Sequence, residues 1–434
     1  MYFHIRSTDR EENELNRVNY TICQGTDKYI KHLLVSFNSI FSNITLTSLL
    51  LHISIANKMS RFVLLLAFAL ATFQSCVYGE SLPAPSGPYN TTLITTKLVD
   101  NKRLDPFAPK KHHRSIMVSA FTPIAKNSCS PTLTKYMDST TAAFEDIRFT
   151  QFGLPSGIFD SLELQTCEPC TNSPSSNFPV LFFTPALGTS RLFYSAMAQQ
   201  VASRGYRVVM LDHPYDADIV TFPDNSTVLG IDFEDDSIPL VVETRAKDIS
   251  FVLDQLSHQK ISRKLFPGTS CGSRVTKAGV FGHSLGGAAA AEAMLRDKRL
   301  VGGINLDGSM FGKVVDKGLR RPFMIFAHDG KNITTDPTWE AIWPKLTGWK
   351  RELMLTRGAH YTFSDLSHVL NVLGYGEMLP AEAAELLGTI NGGRALEVVT
   401  TYVAGFFDRT LKGKNVEILD RPSKVYPEVK FGRS

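Results

Sequence analysis

No long run of Lys or Arg occurs in these 434 residues, and 46 basic against 42 acidic residues leave a formal charge of only +4. That balance excludes a general nucleic-acid binder, which would concentrate positive charge on one face. No apolar stretch reaches the roughly 20 clean residues that a membrane span needs. No second Cys-x-x-Cys accompanies Cys167-x-x-Cys170, so half a zinc site is all that the cysteines offer. No internal repeat appears, and no linker divides residues 95 to 412. What is present is ordinary for a globular chain: 43% hydrophobic, 20% charged and 10% aromatic residues, which excludes a wholly disordered or collagen-like protein.

The N-terminal part reads differently from the rest. Met59-Ser60-Arg61 precedes the apolar run Phe62 to Phe73, and Val77 and Gly79 supply compact side chains for a signal peptidase. This predicts a signal peptide over residues 59–79, cleaved after Gly79. Residues 1–58 are then either a gene-model extension or a disordered leader, and the former is favoured. A weaker apolar stretch between Leu33 and Ala56 is spoiled as a span by Asn38, Asn43 and His52. The expected product, residues 80–434, is a secreted, extracellular protein. Its Cys129, Cys167, Cys170 and Cys271 form an even set suited to two disulfides in any of three pairings. The sequons at Asn90, Asn225 and Asn332 agree with that compartment and predict surface loops.

Along residues 80–434, Ser81 to Pro88 is Pro- and Ser-rich and is expected to be mobile. Strand-like runs follow at Thr95–Val99 and Ser115–Phe121, with a turn around Asp105-Pro106. Thr166 to Pro179 has no period and reads as a loop. A regular alternation then begins. Apolar strands are predicted at Val180–Phe183, Tyr206–Leu211, Ala278–Phe281, Gly303–Leu306, Phe323–Phe326 and Leu353–Leu355. Between them lie helical periods through Phe193, Ala196, Met197 and Val201, through Val242, Ala246, Ile249, Leu253 and Leu256, and finally through Leu396, Val399, Val403 and Phe406. Short apolar strands alternating with amphipathic helices call for an α/β fold: a mostly parallel sheet with helices on both faces.

The strongest chemical signal is Gly282-His283-Ser284-Leu285-Gly286, a G-x-S-x-G pattern leaving a buried strand and entering an Ala-rich helix. A turn tight enough to lift a serine above a sheet leaves no room for Cβ atoms beside it, which is why glycines flank Ser284. The helix start also aims free N–H groups, Leu285 first, at the same spot. A serine hydroxyl needs a histidine to take its proton and a carboxylate to orient that histidine. His360, just beyond the last parallel strand run, is placed to reach back; His368 and His328 are the rivals and read more easily as packed or surface histidines. Asp307 and Asp329 end successive strands and compete as the acid. Topology alone favours Asp329.

The chain resembles the secreted, plasma-type (isoform II) platelet-activating-factor acetylhydrolases and their fungal and actinobacterial relatives, which are α/β-hydrolase serine esterases. The resemblance rests on Gly282 to Gly287, on Gly303-Ile304-Asn305-Leu306-Asp307-Gly308-Ser309-Met310-Phe311, and on Gly358-Ala359-His360-Tyr361-Thr362-Phe363-Ser364-Asp365. Leu187-Gly188 with the helix Leu192 to Arg204, Gly205-Tyr206, and Leu98-Val99-Asp100 through Arg103 to Phe107 are also similar. In that family the acid follows the strand after the serine's, which implies Asp307 over Asp329. The family often has His-Gly where this chain has Pro185-Ala186. Because Pro185 has no N–H, Leu187 is the expected second oxyanion donor beside Leu285.

The resulting expectation is a carboxylic ester hydrolase using Ser284, Asp307 and His360, with no metal and no organic cofactor. Its expected partner is a small-molecule or lipid ester; transient contact with a lipid surface, oligomeric state, acyl-chain length and head group stay open. The rival readings are a cutinase-like, polyester or general lipid esterase, and a catalytically silent binding protein on the same scaffold. Lys110 to Arg114 is expected to be a solvated turn, and Trp339, Trp343 and Trp349 are expected to be buried aromatics. The insertion Phe222 to Pro239 reads equally as a lid or as a glycosylated loop.

Overall fold

In Val180-Leu181-Phe182-Phe183 successive side chains point to opposite faces of a strand, and all four are buried. Both faces of that strand must therefore be covered. The computed structural model, which describes residues 80–169, 178–267, 275–376 and 381–433, shows how. Nine strands form the main sheet: β1 Tyr89–Leu104, β2 His113–Ala125, β3 Val180–Thr184, β4 Arg207–Asp212, β5 Ala278–His283, β6 Leu300–Leu306, β7 Phe323–His328, β8 Lys350–Leu355 and β9 Val429–Phe431. Their spatial order is β1-β2-β4-β3-β5-β6-β7-β8-β9. The six strands from β4 to β8 run parallel, while β1, β2 and β9 pair antiparallel at the two edges.

Four helices matter for the site: α1 Ser195–Ala202, α2 Ile238–Gln255, α3 Leu285–Arg296 and α4 Gly392–Lys412. Leu181 and Phe183 pack with Met197 and Val201 of α1 and with Val399, Val403 and Phe406 of α4. Val180 and Phe182 pack on the other side with Val242, Ala246 and Ile249 of α2 and the alanines of α3. The α4 helix is bounded by its own sequence. Asn391 caps it by accepting from the Arg394 N–H, and Gly413, at φ 65°, ends it in a left-handed turn.

This arrangement confirms the α/β class and corrects several local expectations. Ser81 to Pro88 is tied down: Glu80–Ser81 pairs with Leu162–Glu163 in a small three-stranded sheet, and Leu82 is 1% exposed. Arg114 is not solvated but fully buried, held by Asp105 and Asp248 at 2.8 Å each. Asp105 comes from just past the end of the hairpin partner β1 and Asp248 from the later helix Ile238–Gln255, which a reading of one charge run does not reveal. Asn90 lies within β1, not in a loop, with its amide 3.4 Å from the Cys129 carbonyl. Cys129 and Cys167 form a disulfide across a 6.1 Å Cα separation; Cys170 and Cys271 lie outside the described residues, as do residues 1–79. The insertion starts from a small hairpin, Ile219–Thr221 with Thr227–Leu229, and Phe233 packs edge-on against Phe107 at 4.9 Å. Trp339 and Trp343 are buried.

The order places β3 between β4 and β5, so the chain leaves the two sides of β3 in opposite directions. A crevice opens at the carboxyl ends of strands at such a reversal. Thr184, Ser284, Asp307, His328 and His360 all lie at or just past the carboxyl ends of β3, β5, β6, β7 and β8.

Candidate active site

Ser284 occupies the one residue between β5 and α3, with φ 54° and ψ −125°. A non-glycine residue held in this region stores strain of order 1–3 kcal/mol. The surroundings force it. A Cβ on Gly282 would stand 2.3 Å from the Gly286 carbonyl oxygen, and one on Gly286 would stand 2.1 Å from that of Thr184. The Ser284 N–H donates to the Leu306 carbonyl at 2.8 Å, and the Ser284 carbonyl accepts from Gly287 at 2.8 Å. On the far side, a Cβ on Gly308 would meet the Ser284 carbonyl oxygen at 1.8 Å. Asn305 sets that second turn, accepting from the Gly308 N–H at 2.8 Å and donating to its carbonyl at 2.5 Å. The Trp339 indole N–H also donates to the Gly308 carbonyl, at 2.6 Å.

Asp307 follows β6 with φ 62°, which turns its carboxylate under His360. The Nδ1 atom of His360 is 2.5 Å from Asp307 Oδ2, and its Nε2 atom is 3.0 Å from Ser284 Oγ. Ser284, Asp307 and His360 are thus brought together in one hydrogen-bonded chain. Asp329 is not part of it: that carboxylate is exposed and accepts from the Arg357 N–H at 2.8 Å. His368 is buried elsewhere, where burial lowers its basicity.

His328 is the residue that sequence reasoning passed over. Its Nδ1 lies 2.7 Å from both Asp307 oxygens, and its backbone N–H donates to Oδ1 at 3.1 Å. Burial opposes ionisation of Asp307, but the bonds from His328 and His360 and the nearby charge of Lys331 outweigh it. The carboxyl is held well below the usual carboxylate range. Asp307, His328 and His360 also place metal-ligand atoms within 4.8 Å of one another, yet those atoms already face each other in hydrogen bonds.

Behind the histidine, His283 stacks at 4.7 Å from the His360 ring. Burial, and then the neighbouring His360, push His283 well below the ordinary imidazole range, so it is neutral. Its Nδ1 meets Tyr194 Oη at 2.8 Å, and the same hydroxyl accepts from the Ala186 N–H at 3.2 Å. Buried Arg245 donates to the Pro185 and Ala186 carbonyls at 2.5 and 3.2 Å and pairs with Asp216. The Gly188 N–H donates to the Asp216 carbonyl at 2.9 Å. With Pro185 lacking an N–H, Leu187 keeps the N–H of this loop that has no acceptor among the described residues. Neither Tyr194 nor Arg245 stood out in the sequence, because each lies in an ordinary helical segment.

Residues 135–255 match the family model described as platelet-activating factor acetylhydrolase, isoform II. A protein of Arthroderma benhamiae named as a probable 1-alkyl-2-acetylglycerophosphocholine esterase is 32% identical over 380 residues, 81% of this chain and 93% of that protein. Among solved structures, a ferulic acid esterase from Streptomyces cinnamoneus superposes with a TM-score of 0.69 at 32% identity, covering 82% of this chain and 100% of that one.

Proposed function

Because the chain belongs to the platelet-activating factor acetylhydrolase, isoform II, family, we propose that it is a secreted serine esterase that hydrolyses short-chain carboxylic esters, the acetyl ester of an ether phospholipid among them. The hydrogen-bonded chain from Ser284 through His360 to Asp307 carries the reading. Ser284 Oγ attacks the ester carbonyl while His360 Nε2 takes its proton, and Asp307 keeps the imidazole in the tautomer with Nδ1 protonated. The N–H groups of Leu285 and Leu187 hold the oxyanion. The alcohol leaves with the proton from His360. Water, losing a proton to the same nitrogen, then attacks the acyl-serine; the acyl–Oγ bond breaks as His360 returns that proton to Ser284 Oγ, and the acid is released. Every charge in this sequence is met by an N–H group or a triad member, so no metal or organic cofactor enters it.

A second reading is supported by the ferulic acid esterase, which is as similar in sequence as the named phospholipid esterase: the acyl group is an aryl acid. A panel running from acetate to palmitate esters, with platelet-activating factor and a methyl hydroxycinnamate, separates the two. Highest kcat/KM on acetyl and butyryl esters with release of acetate from the phospholipid supports the first. A peak at eight or more carbons, or on the cinnamate alone, removes it, since each methylene that fits an acyl groove adds about 0.8 kcal/mol. Residues 80–434 act in this proposal as one catalytic domain, released from a signal peptide at 59–79. N-terminal sequencing of the exported protein should start near Glu80.

A further inference from the structure

Asp307 is fully buried, so each of its carboxylate lone pairs needs a protein donor. His360 reaches only Oδ2. Among the described residues, Oδ1 receives donors from His328 alone, through its backbone N–H at 3.1 Å and through its ring, whose Nδ1 lies 2.7 Å from Oδ1 and equally 2.7 Å from Oδ2. The adjacency is built into the sheet. β6 and β7 run parallel with Leu306 opposite Phe326, so the residues just past that pair, Asp307 and His328, leave the same edge side by side. Packing does not demand this conformation, because the His328 side chain is 30% exposed and water is within reach. Instead it lies against the carboxylate, with its ring nearly perpendicular to that of His360 at 6.5 Å.

We propose that His328 is a positioning residue for the esterase reaction, a second histidine that grips the Asp307 carboxylate, with its backbone N–H on Oδ1 and its ring across both oxygens, and so fixes the edge that Asp307 presents to His360. A carboxylate pivots about its Cβ–Cγ bond, and a single donor leaves that pivot free. Two donors from one residue, converging from β7, stop it. The clamp acts through Asp307 and His360 without touching substrate, so its loss slows the proton transfer at Ser284 and leaves ester binding alone.

This inference rests on the assignment of Ser284, His360 and Asp307, and the test separates the two. In His328→Leu a methyl group takes the place of the donor nitrogen; in His328→Asn the amide nitrogen sits one bond from Cγ, as Nδ1 does. The Leu variant should lose about 10- to 100-fold in kcat, the worth of a hydrogen bond to a charged group, with KM changed less than about twofold. Its rate of labelling by a fluorophosphonate should fall in parallel. The Asn variant should recover to within about fivefold of the parent. A structural role predicts the opposite order, since Leu fills the space better than Asn. If the Leu variant does not fold, judged by its thermal midpoint, His328→Gln replaces it, because its amide is displaced by one methylene and should also be slower than Asn. Parental kcat in the Leu variant, or equal loss in the Asn variant, overturns the clamp. Asp307→Asn is assayed beside them: its full activity would overturn the triad and the clamp together, whereas its inactivity beside an unimpaired Leu variant overturns the clamp alone.

Discussion

The Nε2 atom of His360 stands 3.0 Å from Ser284 Oγ while its Nδ1 atom stands 2.5 Å from Asp307, so one imidazole touches both partners at once and needs no rearrangement to pass a proton. Removing the hydroxyl leaves the rest of that geometry in place. Ser284→Ala should abolish covalent labelling by a fluorophosphonate and lower ester turnover by about 10⁵ or more, leaving the residual rate that oxyanion stabilisation alone supports. A labelled alanine variant would refute the assignment.

The two candidate acids separate cleanly. Asp307→Asn should cost about 10⁴ in kcat, because an amide favours the wrong histidine tautomer. Asp329→Asn should stay within a few-fold of the parent, since Asp329 does no more than accept the exposed Arg357 N–H. Steady-state kinetics on one soluble ester decide it, and the reverse ranking would move the acid to β7.

Asp307 also links stability to pH. Its folded-state carboxyl lies below the usual range, so the stability it contributes is fully present above the unfolded value of about 3.9 and is lost as pH falls toward the folded value. The thermal midpoint of the parent minus that of Asp307→Asn should shift against the parent as pH falls below about 4. A difference that stays constant, or that grows, as pH falls below about 4 would contradict the direction of the shift.

Arg245 should prove a stability determinant and a kinetic one. Its guanidinium is buried, pairs with Asp216 and holds the Pro185 and Ala186 carbonyls. Arg245→Met strands a buried carboxylate and should cost about 3–5 kcal/mol in urea unfolding. Adding Asp216→Asn should restore part of that stability. It should not restore kcat, because the loop that offers the Leu187 N–H stays unclamped. Recovery of both together would mean that the loop does not depend on the guanidinium.

The parallel strands and their helices were legible because burial on both faces leaves a run of apolar residues that few other elements share. The edges were harder. β9 is three residues long with one buried, and Thr132–Lys135 shows none buried, so neither carries a period to read. Ser284 and His360 could be located from local pattern and position. Which carboxylate meets His360 could not: Asp307 and Asp329 end neighbouring strands, and the contact turns on a backbone angle of 62° at Asp307 that sequence does not display. Resemblance, not topology, pointed to Asp307. His328 was visible as a strand end, but its partner sits 21 residues earlier, a contact made only when β6 and β7 pair.

The glycine contacts around Ser284 carry a lesson for anyone wishing to retarget this catalyst. Gly286 abuts the backbone at Thr184, and Gly308 abuts the Ser284 carbonyl, so the loops after β3, β5 and β6 meet main chain to main chain with no side chain between them to absorb an error. A library that replaced those glycines would mostly sample broken proteins, because an added Cβ collides with the backbone of Thr184 or of Ser284. The acidic stretch from Phe222 to Pro239 is different, with its tip, Leu229 and Ile231 exposed. Its contacts run to Tyr215, Asp218 and Phe107 and none to Ser284, Asp307 or His360 among the described residues, so that stretch can vary without disturbing where the serine stands.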